Sequence, residues 1–517
     1  MQPECHANSC AVSFLENWRR WFAALMSAVF GLMALVGCQQ PPPPIEPKPF
    51  EGVTLHVVVP NSPIVRALLL RHGNVWSEFS GAKVELSASS DRGDLVLFPP
   101  AELAKLAANA QLAPLPDSIR DQKSRFDFSN FLRPYRNYLS TWDNHAYALP
   151  VLGDSLVCVY RADLLDAPAH RRAINKRLSR PLSAGGPASW QDVEVIASYF
   201  HQTPVWSEGD AANGPRSSLP ALPENPNELD RLFHVLAVTF VRQAVTEERL
   251  GTLDPETRKP LLYDYPFDSG TGEARIADAG FIEALSLLQR LTPFRSAKKG
   301  ESSADAFATG RAVIALVSLA DLAGMQRAAQ KSNMRLGICR VPGSSVFYDG
   351  QQQKSSEMAG NVMPYVGAGG WLAGLSAHAP HEEAALDFLS YLTGATASLE
   401  VLFEASWGGG PTRITHFDIN NRAGWFNYDL SAAQTDQLLL AVKQGIDPSI
   451  ANPVYRLRIP EERAYAHALG EQLRAALDGN KPAAAALKDA ARRWDEMTAS
   501  IGKEKHLRDY RMSLGLR

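Results

Sequence analysis

The sequence predicts an α/β protein of two lobes, each assembled from separate stretches of chain and joined by a hinge. Three observations carry that expectation. A chain of 517 residues is longer than one hydrophobic core organises, so it divides into more than one folding unit. After residue 52 an apolar, β-branched run (VTLHVVV, 53–59) meets the turn Pro60-Asn61-Ser62-Pro63, and a helix begins near Val65; strand, polar turn and helix in that order open an α/β sheet. Two further stretches combine strand character with residues that fix or free the backbone. YALPVLGDSLVCVYRADLL (147–165) passes Pro150 and the Gly153-Asp154 step into an apolar run, and MPYVGAGGWLAGLS (363–376) sets glycines before another. Both read as crossings between lobes.

The N-terminus gives an address. Arg19-Arg20 precedes an uncharged stretch, 21–36, that ends at Gly37-Cys38. This is the form of an export signal, and it falls short of the roughly 20 apolar residues of a spanning helix. Leu35-Val36-Gly37-Cys38 resembles a bacterial lipobox, which implies cleavage before Cys38 and acylation of its thiol, so that residues 1–37 are a lipoprotein signal peptide. Arg19-Arg20-Trp21-Phe22 also has the look of a twin-arginine signal, a pattern that basic leaders produce by chance. Residues 38–52 follow as a lipidated cysteine and a proline-rich tether. Extended polyproline there reaches roughly 35 Å from a membrane. A cell-envelope location, facing the periplasm or the exterior, follows from this reading.

Composition narrows the partners. A net charge of −3 with no long basic run argues against nucleic acid, whose affinity comes from neutralised phosphates. Five cysteines, two of them in the leader, do not make a disulfide scaffold; Cys158 and Cys339 read as small buried residues in strands, one per lobe.

Taken in order, residues 53–150 form the first part of lobe 1. They hold the strands near 53–59, 82–86 and 94–98 and the helix after Pro99-Pro100. Residues 151–302 form the first part of lobe 2, with Ser189 capping a helix to about Phe200 and apolar residues at helical spacing from Leu229 to Phe240 and from Phe281 to Leu288. Residues 303–365 are expected to return to lobe 1, through FATGRAVIA (307–315) and LGICRVPG (336–343). Residues 366–517 are expected to return to lobe 2, with a helix near 382–392, WGGGPTR (407–413) and two C-terminal helices.

In this order the stretches resemble the extracellular solute-binding proteins of bacterial ABC transporters, a family that includes the maltose-type sugar binders. The matches are to its hinge (Tyr147, Pro150, Asp154, Ser155, Tyr160), its "F-x-x-G-k-A-A" element at 307–313, its "l-G-v-x-x-x-P-G" strand, its second crossing and its "G-x-x-P-x-R" element, and they cover most of 53–500. The resemblance implies a periplasmic-binding-protein-like (type II) fold. It also implies a monomer that binds a small molecule, most often a carbohydrate, and hands it to the transmembrane subunits of an ABC permease without catalysis or cofactor. The family often carries a tryptophan after the strand near 313–317; Val317-Ser318-Leu319 stand there instead.

Sugar binding needs flat apolar faces against ring CH groups and directional polar groups for hydroxyls. Trp371, Trp407, Trp206 and Trp142 are the candidate faces, and Asp154, Arg413 and Asn61 the candidate polar groups. Phe98 joins them because ligands of open α/β sheets sit at the carboxyl ends of strands. Each has a structural alternative: the tryptophans as core, Asn61 and Ser62 as a helix cap, Asp154 as a turn cap. Gly153-Asp154-Ser155-Leu156 spells the GDSL of an esterase family, but the Asp-x-x-His of its base is missing near the C-terminus. The 12 histidines lack metal-ligand spacing, and no phosphate-binding loop appears. A surface lipoprotein that serves as receptor without a permease is the second reading, motivated by Gln39, a residue that in many Gram-negative bacteria does not retain a lipoprotein at the inner membrane.

Overall fold

The computed structural model describes residues 48–88, 93–203, 217–298, 300–355, 360–367 and 369–516. Cys38 and Trp206 lie outside them. Residues 48–51, the described end of the first of two units, form a turn closed by Glu51 N–H donating to the Lys48 carbonyl at 3.3 Å. The second unit, Gly52–Arg517, holds two separate central sheets.

Strand β1 (Thr54–Val58) leads through the predicted turn into α1 (Pro63–Ser80), whose N-cap is Ser62, accepting from Val65 N–H at 3.4 Å. Pro63 sits where its missing N–H costs nothing. Val65, Leu68, Leu69, His72 and Trp76 form the buried face of α1, at the spacing of a helix with one side on a sheet. Strands β2 (Lys83–Ser87) and β3 (Leu95–Phe98) both run parallel to β1. β4 (Ala148–Leu152) closes this sheet at its far edge, where Pro150 is tolerated because an edge strand can spare an N–H.

The chain then steps through residues 153–155 into β5 (Leu156–Arg161), the middle strand of the second sheet. Alternate residues of β5 feed two cores: Val157 and Val159 pack with Leu319, Ile338 and Leu438, while Cys158 and Tyr160 belong to the larger cluster on the other face. Period-two burial on both faces marks a strand covered on each side. Helix α2 (Trp190–Gln202) opens with a capping box between Ser189 and Asp192. Helices α3 (Pro226–Val241) and α4 (Ala279–Leu291) build the larger cluster around Phe233, Phe240, Leu285 and Leu288.

Here the expected lobe boundaries fail. β6 (Ile314–Ser318) and β7 (Leu336–Cys339) pair with β5, antiparallel on either side of it, so 303–365 stays with the second sheet rather than returning to the first. β8 (Trp371–Leu375) is the strand that returns, antiparallel between β3 and β4 in the first sheet. α5 (Glu382–Thr393) then packs on α1 and β8. The physical reason is that a buried apolar run announces a strand but not its partner; pairing is decided by the surfaces on both faces. For the same reason Cys158 and Cys339 are not one per lobe. They are directly opposed on β5 and β7.

Helix Ala395–Phe403 packs on β4, and from Ala432 onward the helices go back to the second sheet. α6 (Ala432–Gly445) covers β5 and β7, and α7 (Glu462–Leu477) and α8 (Ala483–Ile501) pack on α3 and α4 through Tyr465, Leu469, Leu473 and Trp494. No described helix is long and apolar enough to cross a membrane.

Candidate binding cleft

The connections between the two sheets gather at one place. Residues 153–155 join β4 to β5, Gly369 and Gly370 lead into β8, and Gly410 lies against the first of these, its N–H donating to the Gly153 carbonyl at 3.0 Å. A Cβ on Gly410 would stand 2.5 Å from the Asp154 carbonyl carbon, so only glycine allows the two backbones this close. Gly369 serves the side chain in the same way: a Cβ there would meet the Asp154 carboxylate at 3.1 Å.

Beside these connections lies a cleft of about 920 Å³, open mouth included. One wall comes from residues 132–139, another from β5 and the end of β7, a third from α3 and residues 362–367, and the last from the end of α6. Its surface is mostly aliphatic, with Leu132, Val235, Val341, Met363, Val366 and Ile446 among its residues. Against this background stand one carboxylate (Asp154), one guanidinium (Arg340), two phenols (Tyr135 and Tyr365), two hydroxyls (Ser155 and Thr239) and one amide (Gln444). Asp154 N–H donates to Tyr135 Oη at 3.2 Å, which ties the crossing to the wall. Burial pushes both phenols up, so they act as neutral donors and acceptors. Burial also lowers Arg340 from the usual arginine range, as desolvation disfavours a cation. CH-rich walls with a few fixed polar groups suit a small solute carrying both hydroxyls and apolar faces.

Of the eight ligand residues expected within the chain, Asp154 alone lines this cleft among those described. Trp371 is half-buried at a bulge opposite Leu152 and is absent from the cleft wall. Trp407 is buried against α1, with His72 edge-on at 5.9 Å and the Arg71 guanidinium 5.5 Å from its ring centre. Trp142 is buried in a two-residue strand, and Phe98 packs with Leu103, Leu112 and Leu372. Asn61 is exposed in the turn before the Ser62 cap.

Arg413 is buried and fully engaged. Its Nε donates to the Thr393 carbonyl at 2.8 Å, Nη2 to the Phe126 carbonyl at 2.9 Å and Nη1 to Asp127 Oδ2 at 3.1 Å, and its guanidinium lies 4.2 Å from the Phe131 ring centre. Such a residue braces three segments and, at 1% exposure, lies in the core. Sequence reasoning missed Tyr135, Arg340, Tyr365, Thr239 and Gln444. Arg340 was findable, because it follows β7 directly, at the carboxyl end of a strand.

The sequence pattern of the bacterial extracellular solute-binding proteins matches residues 77–415. The chain belongs to that family. No curated protein matches this solute-binding protein by sequence. Solved structures share its fold at low identity. The GacH receptor of Streptomyces glaucescens, known unliganded and with acarbose, is 15% identical, with a TM-score of 0.57 over 86% of this chain and 98% of that one. Maltose-bound MalE3 of T. maritima is 15% identical, with a TM-score of 0.58 over 86% and 100%. A solute-binding protein of Agrobacterium radiobacter K84 in complex with ribitol is 17% identical, with a TM-score of 0.58 over 87% and 100%. The type II architecture is therefore common to all of them.

Proposed function

We propose that the protein captures a small carbohydrate or polyol in the cleft beside Asp154 and delivers it to the transmembrane subunits of an ABC permease, while lipid on Cys38 holds it to a membrane. The observation that carries this reading is the position of Asp154. It sits on the segment joining the two sheets, lines the cleft, and is given room by Gly369 and Gly410. A solute held there touches both halves at once, so binding favours the arrangement in which they meet. Solved relatives of this fold are described with acarbose, maltose and ribitol, which supports a hydroxyl-rich ligand, and the aliphatic walls favour one with CH-rich faces.

A thermal-shift screen of sugars and polyols tests the proposal. A true ligand raises the melting temperature with the logarithm of its excess over Kd, and Asp154→Asn weakens its binding by about tenfold, the value of one charge-assisted hydrogen bond, while the unliganded melting temperature stays near wild type. No stabilisation by any sugar at millimolar concentration refutes the carbohydrate assignment. Labelling with radioactive palmitate, lost in Cys38→Ser, tests the anchor. Fractionation to the outer rather than the inner membrane favours the receptor reading, since the permease is an inner-membrane partner.

A further inference from the structure

A second cavity, of about 1380 Å³ with its open mouth, lies at the far end of α3 and shares no lining residue with the cleft. Its walls are the C-terminal end of α3, the two short helices Glu247–Thr252 and Pro255–Tyr263, and the hairpin 346–355. Four basic side chains line it, Arg242, Arg249, Arg275 and Lys354, against two carboxylates, Asp264 and Asp349.

Arg242 is the unusual member. The residue is only 6% exposed, and its Nε and Nη2 are sealed from solvent without a hydrogen-bond partner. An arginine cannot shed its proton at neutral pH to escape this situation. Burial lowers it only to about 10, so the charge remains. A buried guanidinium with donors left unmade is costly to the fold, a loss that is tolerated where a function returns it. The charge of Asp264 favours the Arg242 cation, but no hydrogen bond reaches its Nε or Nη2. Asp264 accepts from Ser269 N–H at 3.0 Å, from Ser269 Oγ at 2.6 Å and from Arg275 Nη1 at 3.3 Å, so its oxygens are already engaged. The backbone of Arg242 is meanwhile held by its carbonyl, which accepts from Asn361 Nδ2 at 2.6 Å. The result is a buried positive charge at the wall of a cavity lined by four cations and two anions, of which Arg275 is also paired with Asp278 at 3.0 Å. Phe347, Tyr348 and Leu261 add flat and aliphatic surface beside it.

We propose that this cavity is a second ligand site, selective for a small molecule that bears an oxyanion, phosphate or carboxylate, on an apolar body. The oxyanion compensates Arg242 with help from Lys354, and the apolar body packs on Phe347 and Tyr348. Such a site gives the solute-binding protein a ligand independent of the one in the cleft.

Isothermal titration of the purified protein in low-salt buffer with phenyl phosphate, benzoate, inorganic phosphate and phenol tests this. Phenyl phosphate or benzoate binds, whichever does so more tightly naming the oxyanion; inorganic phosphate binds more weakly and phenol does not bind. Salt weakens the interaction, as screening requires. Arg242→Gln lowers affinity for the bound probe by about tenfold or more, and Lys354→Gln, on the exposed hairpin, by about threefold. Neither substitution alters binding of a sugar in the cleft. Absence of heat with every anionic probe at about 10 mM, or affinity unchanged in both variants, overturns the proposal. Should Arg242→Gln fail to fold, Lys354→Gln decides alone, with unchanged affinity as the refuting result.

Discussion

Arg413 shows how far a residue's type can mislead about its role, and its replacement gives a sharp prediction. In Arg413→Met the apolar stem remains and the guanidinium is lost. Two buried carbonyls, of Thr393 and Phe126, then lose their donors, at about 1 to 1.5 kcal/mol each. The contact with Phe131 is worth about 1 kcal/mol more. The ion pair with Asp127 adds little, because that carboxylate is 55% exposed and solvent screens it. The expected destabilisation is therefore about 3 to 4 kcal/mol, read as a lower urea midpoint at unchanged slope. Arg413→Lys restores the charge without the fork of donors and recovers only part of the loss. Ligand affinity of the folded fraction stays at the wild-type value. A midpoint within about 1 kcal/mol of wild type, or a loss of affinity without a loss of stability, refutes the assignment of Arg413 as a brace.

Two further changes probe the crossing and the packing around it. Gly410→Ala sets a Cβ against backbone atoms of Asp154, which cannot rotate away, so stability falls by about 1 to 3 kcal/mol and cleft affinity falls with it; a fully active, wild-type-stable variant contradicts the close crossing. His416 is buried, accepts from Thr412 N–H at Nδ1 and meets Ser398 Oγ at Nε2. Burial, then nearby Arg413, lowers it to about 3. The unfolded chain therefore takes up a proton near pH 6.5 that the folded chain refuses until about pH 3, and stability drops as pH falls through that window, by up to about 2 kcal/mol at pH 5 relative to pH 7. His416→Asn, which keeps an acceptor near Nδ1, flattens this part of the profile; an unchanged profile removes His416 as its source.

Local patterns were legible in the sequence, and long-range pairings were not. The Ser62 cap, the Ser189-Asp192 capping box and the β1–turn–α1 opening follow from residue types a few positions apart, where short-range physics decides the outcome. The assignment of β6, β7 and β8 to their sheets rests on partners more than a hundred residues away, and an apolar strand fits either sheet until its neighbours are known. The site shows the same division. Asp154 was singled out because a Gly-Asp step before an apolar run marks a crossing, and that crossing runs along the cleft wall. Trp142 and Trp407 lie in the core, where a large aromatic ring gains more from burial than from waiting at a cleft wall. Tyr365 and Gln444 carry no local mark, since only the packing of residues 362–367 and the end of α6 brings them to the cleft.

The central claim is that one solute is held in the cleft between the two sheets, and filling that cleft tests it most directly. Gln444 lies on its wall at the end of α6, half-buried, so Gln444→Trp places a ring in the solute's space at little cost to the fold. Isothermal titration with a sugar found by the thermal-shift screen should then show binding by the wild type and its loss, by about a hundredfold or more, in Gln444→Trp with an unchanged unliganded melting temperature. Equal affinity in the two proteins would place the solute elsewhere and contradict the account.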